Sequence, residues 1–234
     1  MQAVILCAGK GVRMGELTDN LPKPLIKING KTLLEYKLDV LPDEISEIVL
    51  VIGFQGNKIR ETYGSTYRGR NITYVEDKTV TGTAHALWQA KSFLRERFLV
   101  MMGDDIYSRE AMQKCLGYDF SLACIKTDRD TTGSRVVLDE DGRLIDFVTH
   151  KQYLKIRDDG GLIFTGLYSL NTDIFNYEPV KLETKEEWGL PQTVLGLAKD
   201  YDIAIIETDF WIPITQPDDI KTAETKLDKS LQYL

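Results

Sequence analysis

The chain has 234 residues, 43% of them apolar and 28% charged, a composition that builds a buried core and excludes a disordered chain. Its 29 Lys and Arg against 36 Asp and Glu leave a net charge of −7, a poor match to nucleic acid, although a few local cations can still hold a small anion. Cys7, Cys115 and Cys124 are odd in number and lack metal-type spacing, which argues against a disulfide framework or a zinc site and fits a reducing compartment, and with His85 and His150 the only histidines a multi-histidine metal centre is excluded.

Short apolar runs alternate with amphipathic stretches. Residues 4–6, 48–52, 72–75, 98–102 and 122–125 read as strands, and residues 32–41, 56–63, 84–94 and 110–116 as helices. The first, second and fourth of those strands are almost continuously apolar, as strands covered on both faces should be. This order implies a doubly wound, Rossmann-like α/β fold with a mixed, mostly parallel sheet. The first run is far below the ~18 apolar residues of a membrane span and has no basic region ahead of it, so it reads as a buried strand of a cytoplasmic protein.

The pattern changes after Lys126. Residues 136–138 and 144–148 flank Glu140-Asp141-Gly142, a hairpin turn, and residues 163–170 make another strand. Residues 190–199 and 217–231 read as helices around a strand at 203–207. No linker, repeat or hexapeptide ladder is visible, so no left-handed β-helix is expected. The expectation is one domain, 1–234, with a nucleotide-binding half at 1–125 and a half at 126–234 that adds strands, a substrate lid and a closing helix.

Leu6-Cys7-Ala8-Gly9-Lys10-Gly11-Val12-Arg13-Met14 follows the first strand. Glycines there let backbone N–H groups approach an anion, at the strand end where open α/β sheets bind ligands. A dinucleotide fingerprint fails, because Met14 stands at its third glycine and the second strand ends in Gly53 rather than an acid. A P-loop fails too, because Leu25 stands where the glycine before Gly30-Lys31-Thr32 should be. A plain strand-to-helix turn is the bland alternative. Pro22-Lys23-Pro24-Leu25 weighs against it, since the two prolines predict an extended segment with Lys23 projecting, so that Lys23 and Arg13 join the loop as a polyphosphate site.

These residues resemble the sugar-1-phosphate nucleotidylyltransferases, the NDP-sugar pyrophosphorylases. Their signature is a strand, Ala-Gly-x-Gly-x-Arg-Met/Leu, then Pro-Lys-Pro-Leu. Gly82-Thr83-Ala84, Gly103-Asp104, Thr165-Gly166-Leu167-Tyr168 and Trp211 followed by Pro217-Asp218-Asp219 extend the likeness along nearly the whole chain. The resemblance implies the nucleotide-diphospho-sugar transferase fold and magnesium-dependent nucleotidyl transfer from an NTP to a sugar-1-phosphate. It leaves oligomer formation open and gives no nucleic-acid or membrane partner.

Met101-Met102-Gly103-Asp104-Asp105 ends the fourth strand in the same crevice, where a carboxylate beside phosphates needs a cation between them. By resemblance, Leu6, Ala8, Gly9 and Gly11 line the nucleotide with Asp77, Gly82 and Thr83. Arg13 and the loop take the β and γ phosphates, Lys23 bridges the α-phosphate and the incoming phosphate, and Asp104 holds Mg2+. His150, Lys151 and Gly166 hold the sugar phosphate.

Four positions depart from the family pattern. Pro213 stands where an aspartate two residues after a tryptophan often supplies a second metal ligand, with Asp209 the nearest substitute. His150 replaces a glutamate, with an exposed strand-end histidine as the bland alternative, and Arg135 replaces a glycine, where it either adds an anion contact or blocks one. Asp77 replaces a glutamine that reads uracil or thymine. A carboxylate leans to guanine, whereas Gly82-Thr83-Ala84-His85-Ala86 leans to UTP or dTTP, which is the favoured reading. The alternatives are a guanylyl- or cytidylyltransferase acting on a sugar phosphate or another phosphorylated small molecule, and a catalytically weakened nucleotide-sugar-binding protein.

Overall fold

A computed structural model describes residues 1–128, 131, 133–157, 159–183 and 186–229. Among them, ten strands form the main sheet. They are Gln2–Cys7 (β1), Glu47–Ile52 (β2), Thr66–Tyr67 (β3), Arg70–Glu76 (β4), Arg97–Met102 (β5), Ser121–Lys126 (β6), Arg135–Leu138 (β7), Leu144–Val148 (β8), Leu162–Asn171 (β9) and Ala204–Glu207 (β10). The order β8-β7-β9-β5-β1-β2-β4-β3 runs across the sheet, with β6 paired to β9 and β10.

The central strands β5, β1, β2 and β4 are parallel to one another. β1 is buried along its whole length. Side chains alternate across a strand, so its residues divide between two cores. Val4 and Leu6 join Val49, Val51, Phe98 and Val100 on one face. Ala3, Ile5 and Cys7 join Ile48, Leu50, Leu99 and Met101 on the other. This two-sided burial is why the strands read as unbroken apolar runs. β9 runs antiparallel to β5 and carries the sheet into the second half of the chain.

The helices are Leu33–Asp39 (α1), Gly56–Tyr63 (α2), Thr83–Gln89 (α3), Arg109–Leu116 (α4), His150–Tyr153 (α5), Leu190–Leu197 (α6) and Asp218–Lys229 (α7). α1 starts later than its apolar period because Thr32 is its cap, accepting from Glu35 N at 3.0 Å while Glu35 accepts from Thr32 N at 2.8 Å. α3 is shorter than the expected 84–94, because the chain tightens at Ala90 into a 3-10 turn, Lys91–Phe93. α7 covers most of 217–231, whose last two residues lie outside the described set.

Two corrections bear on the crevice. Lys23–Leu25 is one turn of 3-10 helix and not the extended segment that two prolines suggested. Pro24 tolerates this because its missing N–H falls in the first turn, where no intrahelical partner is required. His150 opens α5 behind the Thr149 cap, so it is not a strand-end residue. The two-residue and three-residue ribbons, including Asp105–Tyr107 against Trp211–Pro213, were invisible to periodicity because so few residues carry no period.

Phe98 is fully buried on β5 and stacks on Phe175 at 6.1 Å between ring centroids. Phe98→Ala is expected to cost about 3–5 kcal/mol of stability in urea unfolding; a loss under 1 kcal/mol would mean the core collapses around the gap.

Candidate active site

The glycine loop leaves β1 at its carboxyl end. Met14, the residue that breaks the dinucleotide pattern, is buried with Ile26, Ile28 and Leu33 and ties the loop to a third core. Gly9 has open space around it, and Gly11 has a φ of +64°, a conformation that side chains disfavour. A Cβ at Gly11 would lie 3.1 Å from Lys23 Cβ and 3.3 Å from Lys23 Cδ, so the loop rests on the lysine stem. Thr18 Oγ1 donates to the Gly11 carbonyl at 3.0 Å and holds that contact.

Lys23 then reaches across β1 to β5. Its Nζ donates to Asp104 Oδ2 at 2.6 Å, with the lysine side chain 7% exposed and the aspartate 37% exposed. Gly103 N donates to Leu6 O at 2.9 Å, which fixes the acidic turn to β1. Glycine loop, Lys23 and Asp104 therefore meet as the sequence implied. Arg13 is exposed on the loop.

Asp105 does not share the open crevice with Asp104. It is buried, with Oδ2 3.3 Å from the Tyr107 hydroxyl. That hydroxyl accepts from Met102 N at 3.3 Å and donates to Thr165 O at 3.1 Å. The Trp211 indole N–H is buried beside the Asp105 carboxyl without closing a hydrogen bond. Burial, reinforced by the neighbouring Asp104 charge, pushes the Asp105 carboxyl above the usual carboxylate range. Gly166 faces this cluster at φ +84°; a Cβ there would sit 2.7 Å from Met102 Cγ. Asp104 is thus the carboxylate free to meet a metal. Among the described residues no group of three or more His, Cys, Asp and Glu gathers to hold one, and Asp209 is a surface acid.

Asp77 directly follows β4 and is 1% exposed. Its Oδ1 accepts from Thr79 N at 3.1 Å, Thr79 Oγ1 at 3.1 Å and Val80 N at 3.0 Å, and lies 3.3 Å from His85 Nδ1. Its Oδ2 is buried without a partner. A cavity of about 410 Å³ opens beside it, lined by Lys10, Gly53, Phe54 and Val80 among others. Gly82 and Thr83 meet the other half of the chain: Trp188 N donates to Thr81 O at 2.7 Å and Leu190 N to Thr83 Oγ1 at 3.0 Å.

Arg135 is a tether rather than an anion contact. It is fully buried, and it donates to Gly160 O at 2.6 Å and Thr131 O at 2.5 Å. His150 Nδ1 lies 3.3 Å from its guanidinium, while Lys151 is exposed one residue further along α5. Sequence reasoning missed Lys37, Tyr107 and Trp188. Their roles come from contacts across the fold, and no local spacing announces them.

A family model described as nucleotidyl transferase matches residues 2–230. Over 235 residues the chain is 29% identical to a bifunctional protein GlmU of Methanococcus vannielii, covering 99% of this chain and 56% of that protein. The chain thus spans about half the length of the first curated relatives it matches. The UTP–glucose-1-phosphate uridylyltransferase AglF of Haloferax volcanii is 28% identical, with 98% of this chain and 97% of that protein covered. A D-glycero-α-D-manno-heptose 1-phosphate guanylyltransferase of Campylobacter jejuni is 29% identical over 94% and 96%. A putative glucose-1-phosphate thymidylyltransferase from Bacillus anthracis has the same fold, with a TM-score of 0.80 at 18% identity over 97% of this chain and 95% of that one.

Loop N–H groups, the exposed Arg13 and Lys23 under the loop are expected to bind a polyphosphate. Pyrophosphate is expected to raise the melting temperature of the wild type and to raise that of Arg13→Ala less. Equal shifts in a thermal-denaturation series would place Arg13 outside the anion site.

Proposed function

The chain belongs to the nucleotidyl transferase family, and on that footing we propose that it transfers a nucleotidyl group from an NTP to a sugar-1-phosphate. The observation that carries this reading is Lys23 lying under the glycine loop with its Nζ 2.6 Å from Asp104. One lysine thereby joins the loop suited to phosphates to the carboxylate suited to a metal.

A phosphate oxygen of the sugar-1-phosphate attacks the α-phosphorus of the NTP. The bond from that phosphorus to the bridging oxygen breaks, and pyrophosphate leaves with the electron pair. The nucleophile is already anionic at neutral pH, so no protein base is required, and positioning and charge stabilisation supply the catalysis. Loop N–H groups of Gly9 to Gly11 and the Arg13 guanidinium take the departing β and γ phosphates. Lys23 turns from Asp104 to the α-phosphate and the incoming phosphate. Asp104 is the residue that would hold magnesium, as a single carboxylate ligand, and Pro213 offers no second side-chain ligand at its position. Bound there, magnesium would neutralise the phosphate charge that opposes attack. Gly166, Lys151 and His150 form the acceptor side, and Leu6, Ala8, Gly82 and Thr83 flank the nucleoside. The 1–125 half then serves the NTP and the remainder the acceptor, within one domain.

The base read is uracil or thymine. Oδ1 of Asp77 is spent on Thr79, Val80 and His85, which leaves Oδ2 as its one unpartnered acceptor. Uracil and thymine offer a single N–H between two carbonyls, so one acceptor matches them. Guanine recognition by a carboxylate uses both oxygens, against N1–H and the amino group. The likeness to AglF supports the same reading, whereas the likeness to the heptose-1-phosphate enzyme favours GTP.

Pyrophosphate release from a panel of NTPs and sugar-1-phosphates with Mg2+ tests both levels. Turnover is expected with UTP or dTTP, and Asp104→Asn is expected to lower it about a hundredfold. A wild-type preference for GTP of about tenfold or more would overturn the base reading. Binding of NDP-sugars without pyrophosphate release from any pair would overturn the enzyme reading in favour of a nucleotide-sugar-binding protein.

A further inference from the structure

Lys37 stands on α1 and is 0% exposed. Lysine is among the residues least often buried, because its ammonium loses water that only charged or strongly polar neighbours replace. Here Nζ donates to Leu33 O at 2.8 Å, on its own helix, and to Asp105 O at 2.6 Å, on the acidic turn. The groups that face it are the Cys7 thiol from β1, the Asp104 and Asp105 carboxyls from the turn after β5, and the Lys23 ammonium from the 3-10 turn.

We propose that Lys37 is a positioning residue for nucleotidyl transfer, holding the Asp105 carbonyl and thereby the turn that presents Asp104 to the phosphates. This rests on the nucleotidyl-transfer reading of the site. The turn is tied by Gly103 N to Leu6 O at 2.9 Å, Asp104 to Lys23 at 2.6 Å, Asp105 O to Lys37 at 2.6 Å and the Tyr107 hydroxyl to the Asp105 carboxyl at 3.3 Å. The second tie is given up when Lys23 turns to the substrate phosphates. Lys37 then becomes the one remaining charged tie. Pro213 lies opposite Asp105 in the two-stranded ribbon and has no N–H to offer the same carbonyl. Two carbonyls alone could be met by a neutral donor. A charge suits this place because two adjacent aspartates act on it electrostatically, and a fixed cation bonded to their turn offsets their repulsion. α1 can serve as the anchor because the reciprocal Thr32–Glu35 cap pins its first turn.

Lys37→Met keeps the length of the side chain and removes the charge and the donors. The double variant Lys37→Met/Asp105→Asn restores charge balance without restoring the tie. The single variant is expected to lose about tenfold or more in kcat and to need several-fold more Mg2+, with KM for the sugar phosphate within about twofold of wild type. The double variant is expected to regain most of the lost melting temperature while kcat stays low. Recovery of kcat together with melting temperature in the double variant would overturn the proposal, since the deficit would then be charge balance alone. Wild-type kcat and Mg2+ dependence in Lys37→Met would overturn it as well. The readout independent of turnover is the Mg2+ half-point of the thermal shift with pyrophosphate, expected to rise in both variants. If the wild type itself releases no pyrophosphate, the nucleotidyl-transfer reading fails on that control. The half-point then still decides for or against Lys37, with equal values in wild type and variants counting against it.

Discussion

Two adjacent carboxyls just after β5 have to be kept beside a glycine loop and a lysine, in a protein that is already acidic. Nearly everything around the crevice follows from that electrostatic constraint. Asp104 faces outward onto Lys23, and Asp105 is turned inward among Tyr107, Trp211 and Gly166. The pair is split between two environments, so each can be stabilised by different neighbours. Burial pushes the Lys37 ammonium below its ordinary range and the Asp105 carboxyl above it, as expected when charges leave water. Such an arrangement is a poor source of stability, because desolvation offsets the attraction of the pair. Its value lies in geometry, since it sets where the outward carboxylate sits.

The loop architecture serves the same end. Three strand ends of the parallel core converge, and their connecting turns are packed on one another through backbone contacts. Gly103 N bonds to Leu6 O and Phe54 N bonds to Ala8 O, so the turns after β1, β2 and β5 form one rim. Loops carry function well when a stiff scaffold positions them. Here the scaffold is the centre of the sheet, where β1, β2 and β5 are covered on both faces and have no polar side of their own to adjust.

The second half of the chain closes on that rim. β9 pairs with β5, so Gly166 is delivered next to the acidic turn by the sheet itself. Trp188 and Leu190 attach to Thr81 and Thr83, which brings the stretch before α6 against the start of α3. Arg135 spends its guanidinium on backbone carbonyls of the neighbouring loops and so ties those loops together. Among the described residues no helix is long and apolar enough to cross a membrane.

Much of this was legible in the residues alone. Doubly covered strands advertise themselves as apolar runs, and the glycine loop, Lys23 and Asp104 stand out through their resemblance to a family signature, which spacing alone would have left beside a plain strand-to-helix turn and an acidic turn. Tertiary structure decided the rest, wherever a side chain's partner is distant in sequence. Arg135 could have been a ligand contact, and both oxygens of Asp77 could have been, although only its Oδ2 is left unpartnered. The fold gives Oδ1 of Asp77 to a turn and His85, and it gives the Arg135 guanidinium to Gly160 and Thr131. Lys37 sits in a helical pattern as one more charged residue, and its partner Asp105 is 68 residues away. No period or motif encodes such a contact, because it exists only once α1 and the turn after β5 are packed together and water is excluded between them.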